Sequence, residues 1–154
     1  MNRVCVKAIL TLILTAGFTV GLATSAHAQA SAGVRAGASI DPDQFFFGGH
    51  VESGPIADRL RFRPNVEVGV GNSLTLVAFN VELAYHFPAR NEWGFYAGGG
   101  PALNIVNFND DTSSNGGVNV MLGVQHDRGL FFEFKLGFID SPDVKIGLGY
   151  TFRR

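Results

Sequence analysis

Val144-Lys145-Ile146-Gly147-Leu148-Gly149-Tyr150-Thr151-Phe152 alternates large apolar residues with small or polar ones at every step. Val144, Ile146, Leu148, Tyr150 and Phe152 share one face, and Lys145, Gly147, Gly149 and Thr151 share the other. A period of two belongs to a β-strand, whose successive side chains point to opposite sides of the sheet. Such a strand needs two environments, one for bulky apolar groups and one for glycine beside a charge.

The same period recurs in seven segments upstream, each set off by turn-forming residues. Val34, Ala36, Ala38 and Ile40 alternate with Arg35, Gly37 and Ser39 before Asp41-Pro42-Asp43. Residues 44–52 set Phe45, Phe47 and Val51 against His50 and Glu52, and Ser53-Gly54-Pro55 ends them. Residues 59–70 place Arg59, Arg61, Arg63, Asn65 and Glu67 opposite Leu60, Phe62, Val66, Val68 and Val70. After Gly71-Asn72-Ser73, residues 74–87 set Val77, Phe79, Val81, Leu83, Tyr85 and Phe87 against Asn80, Glu82 and His86. The fifth segment carries Trp93, Phe95, Ala97, Leu103 and Ile105, with Tyr96, Gly98, Gly100 and Asn104 opposite. The stretch bounded by Asn107 and Gly117, rich in Asn, Asp, Ser and Gly, reads as the one sizeable loop. Val118, Val120, Leu122 and Val124 then oppose Asn119, Gly123 and Gln125, and Leu130, Phe132, Phe134, Leu136 and Phe138 oppose Glu133, Lys135 and Gly137. Eight strands is the even count that a single-chain barrel requires. Pro64 and Pro101 fall inside strands and predict bulges. Phe46, Tyr96, Met121, Phe131 and Ile139 fall on the polar face, which implies either apolar packing there or a bulge that shifts the phase.

The chain opens with Arg3 and Lys7, an apolar run over residues 8–23 and the small-x-small site Ala26-His27-Ala28. This is the pattern of a secretory signal peptide cleaved after Ala28. Residues 1–28 are therefore the expected signal and residues 29–154 the mature domain. Cys5, the single cysteine, falls in the part removed, which excludes a disulfide framework, a thiol nucleophile and a lipoprotein anchor. Removing Arg3 and Lys7 from 12 basic residues leaves 10 against 13 acidic ones, a balance that argues against nucleic acid. No apolar run after the signal is long enough for a spanning helix, so entry into a membrane has to be as a barrel.

Two architectures share the alternation: a membrane barrel with its apolar face outward, and a soluble lipocalin-like or avidin-like barrel with that face inward. Glycine favours the first, because Gly37, Gly48, Gly69, Gly94, Gly98, Gly100, Gly123, Gly137, Gly147 and Gly149 share the charged face. An eight-stranded interior is only wide enough for side chains, and small neighbours make room for long charged ones. With the C-terminus on the periplasmic side, Phe62, Tyr85, Phe87, Trp93, Phe95, Phe132, Tyr150 and Phe152 gather at one end of the apolar face as an aromatic girdle. Phe45, Phe47 and Phe138 fall near the other end. The fold class expected is all-β, an eight-stranded antiparallel up-and-down transmembrane β-barrel preceded by a cleaved signal peptide.

The signal peptide, Phe95-Tyr96-Ala97-Gly98-Gly99-Gly100-Pro101-Ala102-Leu103 and the closing strand ending at Phe152 together resemble the outer-membrane β-barrel domain family, the small OmpX-like and opacity-type barrels. The resemblance implies residence in the bacterial outer membrane, contact with its lipid, insertion by the barrel-assembly machinery and a monomeric state. One departure is that Arg153 and Arg154 follow the closing aromatic, which in the family is usually the last residue.

Arg35, Arg59, Arg61, Arg63, Lys135 and Lys145 share the inward face with Glu52, Glu67, Glu82 and Glu133, and buried charges must be paired. The expected arrangement is a lumen charge network that fills the barrel and leaves no open channel, the other reading being a narrow ion path. His50, His86 and His126 lie on three strands without ligand spacing, so neither metal nor cofactor is expected. No serine sits beside a histidine as a lipid-modifying Ser-His-acid site requires, so no enzyme is expected. A structural or envelope-integrity role follows. The alternatives are surface binding through the loop from Asn107 to Gly117 and a soluble barrel that binds an apolar ligand.

Overall fold

The computed structural model describes residues 30–71, 74–108 and 111–153. The expected signal peptide over residues 1–28, together with Asn72, Ser73, Asn109, Asp110 and Arg154, lies outside them. The strands are β1 (Ser31–Ile40), β2 (Gln44–Glu52), β3 (Pro55–Ala57), β4 (Leu60–Gly71), β5 (Leu74–His86), β6 (Trp93–Phe108), β7 (Asp111–His126), β8 (Leu130–Ile139) and β9 (Val144–Thr151). Each long strand pairs antiparallel with its neighbours, β1 pairs with β9, and β2 pairs with β4 past the three-residue β3. Eight long strands thus close on themselves, which removes the open edges that an isolated sheet would expose.

The alternation in the sequence becomes the two sides of this wall. On β9 and β1, Tyr150 pairs with Val34 and Leu148 with Ala36 outside, while Gly149 pairs with Arg35 and Lys145 with Ser39 inside. Phe45 is 78% exposed and Phe95 67%, whereas Arg63 and Glu82 are fully buried. The apolar groups face out and the charges face in, which is the reverse of a soluble barrel. The soluble alternative is overturned by this inversion, because the large apolar face that would line a ligand cavity is turned outward.

Large interior side chains sit across from glycines. Phe46 pairs with Gly37, His50 with Gly33, Tyr96 with Gly123, Met121 with Gly98 and Phe131 with Gly149. A Cβ on Gly123 would collide with the Tyr96 ring, and one on Gly149 with the Phe131 ring. A narrow lumen can hold a large group from one strand only where its neighbour contributes none. This resolves the residues out of phase: Phe46, Tyr96, Met121 and Phe131 are buried inside as apolar packing. Ile139 is the exception, turned out at the end of β8 by a left-handed backbone (φ 68°).

Three expectations are corrected. The prolines do not produce bulges. The β4–β5 ladder passes through Pro64 opposite Val81 without a shift, and the β2–β4 ladder ends at His50–Asn65, one residue before Pro64. Pairing between β5 and β6 lapses between Asn80–Ala102 and Leu83–Gly99 and resumes in the same register around Pro101. Proline removes one donor, and skipping a rung costs less than a register change that would turn side chains to the wrong face. The expected loop after Asn107 is instead a continuation of the β6–β7 hairpin, paired as far as Phe108–Asp111. Residues 111–116 of β7 extend past the first rung to β8, Gly117–Ile139, and have no strand partner on that side among the described residues. The third correction concerns Arg59 and belongs with the lumen.

Candidate functional site in the barrel lumen

β1, β2, β4, β5, β8 and β9 each send charged side chains into the lumen. Among the described residues, the charged groups buried there are Arg35, Arg63, Lys135 and Lys145 against Glu52, Glu67, Glu82 and Glu133, each at most 6% exposed. Four positive and four negative charges cancel. Arg35 Nη1 donates to Glu67 Oε1 and Glu133 Oε1, both at 3.1 Å. Lys135 Nζ donates to Glu82 at 2.6 Å and Glu67 at 3.1 Å, and lies 3.4 Å from Glu133. Lys145 Nζ donates to the other oxygen of Glu67 at 2.8 Å. Arg63 Nη1 donates to Glu133 Oε2 at 3.1 Å, and its Nε lies 3.5 Å from Glu52. Glu52, counting half-buried Arg61, Glu67 and Glu133 are each shared by two or more cations, and Glu82 is held by Lys135 and Asn65. Multiple partners are what make ionised groups tolerable away from bulk water.

Neutral side chains complete the packing. Tyr96 donates its hydroxyl to Glu133 at 2.7 Å, and its ring carries the Arg63 guanidinium at 4.9 Å. Phe131 carries Arg63 at 5.0 Å and Arg35 at 5.6 Å. Desolvated guanidinium groups gain from such faces. An amide chain runs from Asn119 to Asn80 at 2.8 Å, Asn80 to Asn65 at 2.8 Å and Asn65 to Glu82 at 2.7 Å. Thr151 accepts from Gln125 at 3.2 Å and meets His50 Nε2 at 3.0 Å. Towards the far mouth, Asn104 donates to the Asp140 carbonyl at 2.7 Å and to Ser141 Oγ at 3.2 Å, drawing the β8–β9 turn inward. A void of about 10 Å³ lies among Arg35, Phe46, Phe131 and Lys145, about the size of one water.

Nine of the ten charged residues expected in the lumen meet there, with Arg61 half-buried at its edge. Arg59 does not. It sits before β4 with φ 59° and an exposed side chain 3.9 Å from Asp58, because the chain turns there before the strand begins. Tyr96, Gln125, Thr151 and the Asn65-Asn80-Asn119 chain were not expected as network members. Alternation already put the asparagines inward, but which amide meets which is fixed by strand order around the barrel.

All eight girdle residues point outward at the end where β1 begins and β9 ends. Tyr85 meets Phe87 edge-on at 5.2 Å, Tyr150 meets Phe152 at 5.4 Å, and Trp93 stacks on Phe132 at 6.2 Å. Each of the three described histidines has its own neighbour: Thr151 for His50, the Tyr96 ring for His86 and Glu92 for His126. No cluster of metal-ligating groups occurs among the described residues.

A solved structure described as the N-terminal β-barrel domain of Pseudomonas aeruginosa OprF superposes with a TM-score of 0.61, 16% identity, 83% of this chain and 100% of that one. Neisserial surface protein A (NspA) superposes with a TM-score of 0.58, 17% identity, 82% of this chain and 96% of that one. The chain has the fold of an outer-membrane β-barrel. No family model and no curated protein matches its sequence. As an outer-membrane barrel in fold, it also has the inside-out chemistry of one: an apolar, girdled wall that lipid can solvate and a polar interior that lipid never meets.

Proposed function

We propose that the protein is a small integral outer-membrane β-barrel that serves the envelope structurally, with its lumen plugged and no open channel or catalytic activity. The observation that carries this reading is the balanced set of four buried cations and four buried anions, each bonded to its opposites. A pore selects and passes ions by an unbalanced, hydrated lining, whereas a neutral interlocked one holds the wall together. The serine hydroxyls support a non-catalytic reading: Ser39 and Ser53 donate to nearby backbone carbonyls, and Ser141 accepts from Asn104.

The test joins conductance to complementation. Purified protein in planar bilayers is expected to give no large steady current, and robust open-channel currents would overturn the plug. Cells lacking the protein are expected to become sensitive to bile salts. A chain whose β6–β7 hairpin is cut back to the Ile105–Ser114 rung and closed with Asn-Gly should restore resistance fully. A trimmed chain that inserts normally but fails to restore it would favour surface binding through the projecting edge of β7, residues 111–116, over the structural role.

A further inference from the structure

At the rim where β1 begins and β9 ends, the segment between β2 and β4 and the turn after β5 line an open hollow of about 530 Å³. Arg59 and Arg61 give it a cationic lining beside the His86 ring, and Asp58 is the one carboxylate there. Asp58 neutralises little, since its side chain is 89% exposed and 3.9 Å from Arg59. Arg61 gives Nη1 to Glu52, and its side chain remains 26% exposed at the hollow. Arg59 is fixed beside it in a left-handed backbone, its carbonyl accepting from the His86 N–H at 2.9 Å. Guanidinium groups open to the hollow offer an anion charge-assisted bonds that fix its position.

The hollow also reaches the lipid-facing wall. Phe87 lines it and equally lines a groove of about 500 Å³ on the outside of the barrel, with Phe95, Leu122, Phe132 and Ile146. A cationic pocket and an apolar groove therefore share one side chain at the height of the aromatic girdle, where headgroups of a bilayer lie. β1 begins and β9 ends at this rim, the side from which a secreted chain enters the membrane.

We propose that this composite site holds a glycerophospholipid of the periplasmic leaflet, its phosphate on Arg59 and Arg61 beside the His86 ring and an acyl chain in the groove below Phe87. The lipid would be part of the seated barrel, stapling the irregular segment around β3 to the wall. The proposal rests on the membrane-barrel reading, which membrane fractionation and heat-modifiable migration test separately.

Protein purified from outer membranes into a maltoside is titrated with dihexanoyl-phosphatidylglycerol, with inorganic phosphate and with dihexanoylglycerol, following the His86 ring signals by NMR. The phospholipid is expected to saturate the shift at a concentration about tenfold or more below either fragment, because only it engages both halves of the site. Arg59→Ala should weaken it about fivefold or more and Arg59→Ala with Arg61→Ala should abolish it, while Arg128→Ala on the same rim leaves it unchanged. Normal heat-modifiable migration of each variant secures the fold. Phosphate binding as tightly as the phospholipid would make this a free-anion site and overturn the lipid. Diacylglycerol binding as tightly would overturn phosphate recognition, and no saturable shift with any probe would overturn the site.

Discussion

Glu133→Gln removes one charge from the lumen and leaves the volume unchanged. Glu133 is where the network converges: it accepts from Arg35 and Arg63 at 3.1 Å each and from the Tyr96 hydroxyl at 2.7 Å, with Lys135 at 3.4 Å. With the amide in place, four buried cations face three anions, and the new NH₂ group points donors into a space already lined by donors. Removing one partner of a buried pair costs about 3–5 kcal/mol, chiefly because the remaining charge stays buried. The amide oxygen still accepts one bond, so the lower end of that range applies, roughly a hundredfold in the unfolding equilibrium. Glu92→Gln is the control, since Glu92 is 71% exposed in its pair with His126 and such a contact is worth below about 1 kcal/mol. Trp93, the only tryptophan, reports unfolding in urea from lipid vesicles by its fluorescence. A Glu133→Gln barrel within about 1 kcal/mol of the parent, or a Glu92→Gln barrel equally weakened, would refute the claim that buried charge pairing holds the lumen.

Leu148→Arg places a charge on the lipid-facing wall at a position 53% exposed, and about 2–4 kcal/mol of destabilisation is expected in the same unfolding assay. Ser113→Arg, on the projecting hairpin, should stay within about 0.5 kcal/mol of the parent, and equal effects at the two would place the lipid boundary wrongly. Gly123→Val sets a side chain into the Tyr96 ring and should cost about 1–3 kcal/mol, whereas Gly116, with nothing near the site of a new Cβ, should accept valine with little change in the urea midpoint.

Strands were legible in the sequence because a wall between lipid and a polar interior leaves a strict period of two, unblurred by a second packed layer. The bounds of β2, from Gln44 to Glu52, match the period in the sequence, and all eight girdle aromatics lie on the outer face at one end. What the period cannot carry is where a strand stops. Arg59 opens the arginine row in sequence, yet the chain is still in a left-handed turn there and has not entered the strand. Composition misled in the opposite direction beyond Asn107, where polar residues form a hairpin outside any apolar layer and so show no alternation of hydrophobicity. The prolines looked like interruptions of register because donor loss and residue insertion leave the same trace in a sequence. Partner choice in the lumen was invisible for a different reason: Glu133 and Arg35 are 98 positions apart, and only closure of the barrel brings them together.

That distance has a consequence for folding. A strand that slips by one residue against its neighbour exchanges its two faces, so every charge it carries turns to lipid and every large apolar group turns inward. For β9 the slip would expose Lys145, and for β8 it would expose Glu133 and Lys135 together. A lysine at the bilayer midplane costs about 2–4 kcal/mol, so a single slipped strand loses a large part of the about 5–15 kcal/mol by which domains are stable. The glycines act in the same sense. Phe46 has room opposite Gly37 and beside Gly147, and a shift by two rungs, which would keep it inside, would set it against Arg35 or Ser39. Buried ion pairs contribute little net stability over well-packed apolar residues, so stability alone is a weak reason for eight charges in a lumen this narrow. Register is a stronger one: in a wall of short strands with interchangeable apolar outer faces, the charged and glycine-matched interior is what distinguishes one pairing from the next.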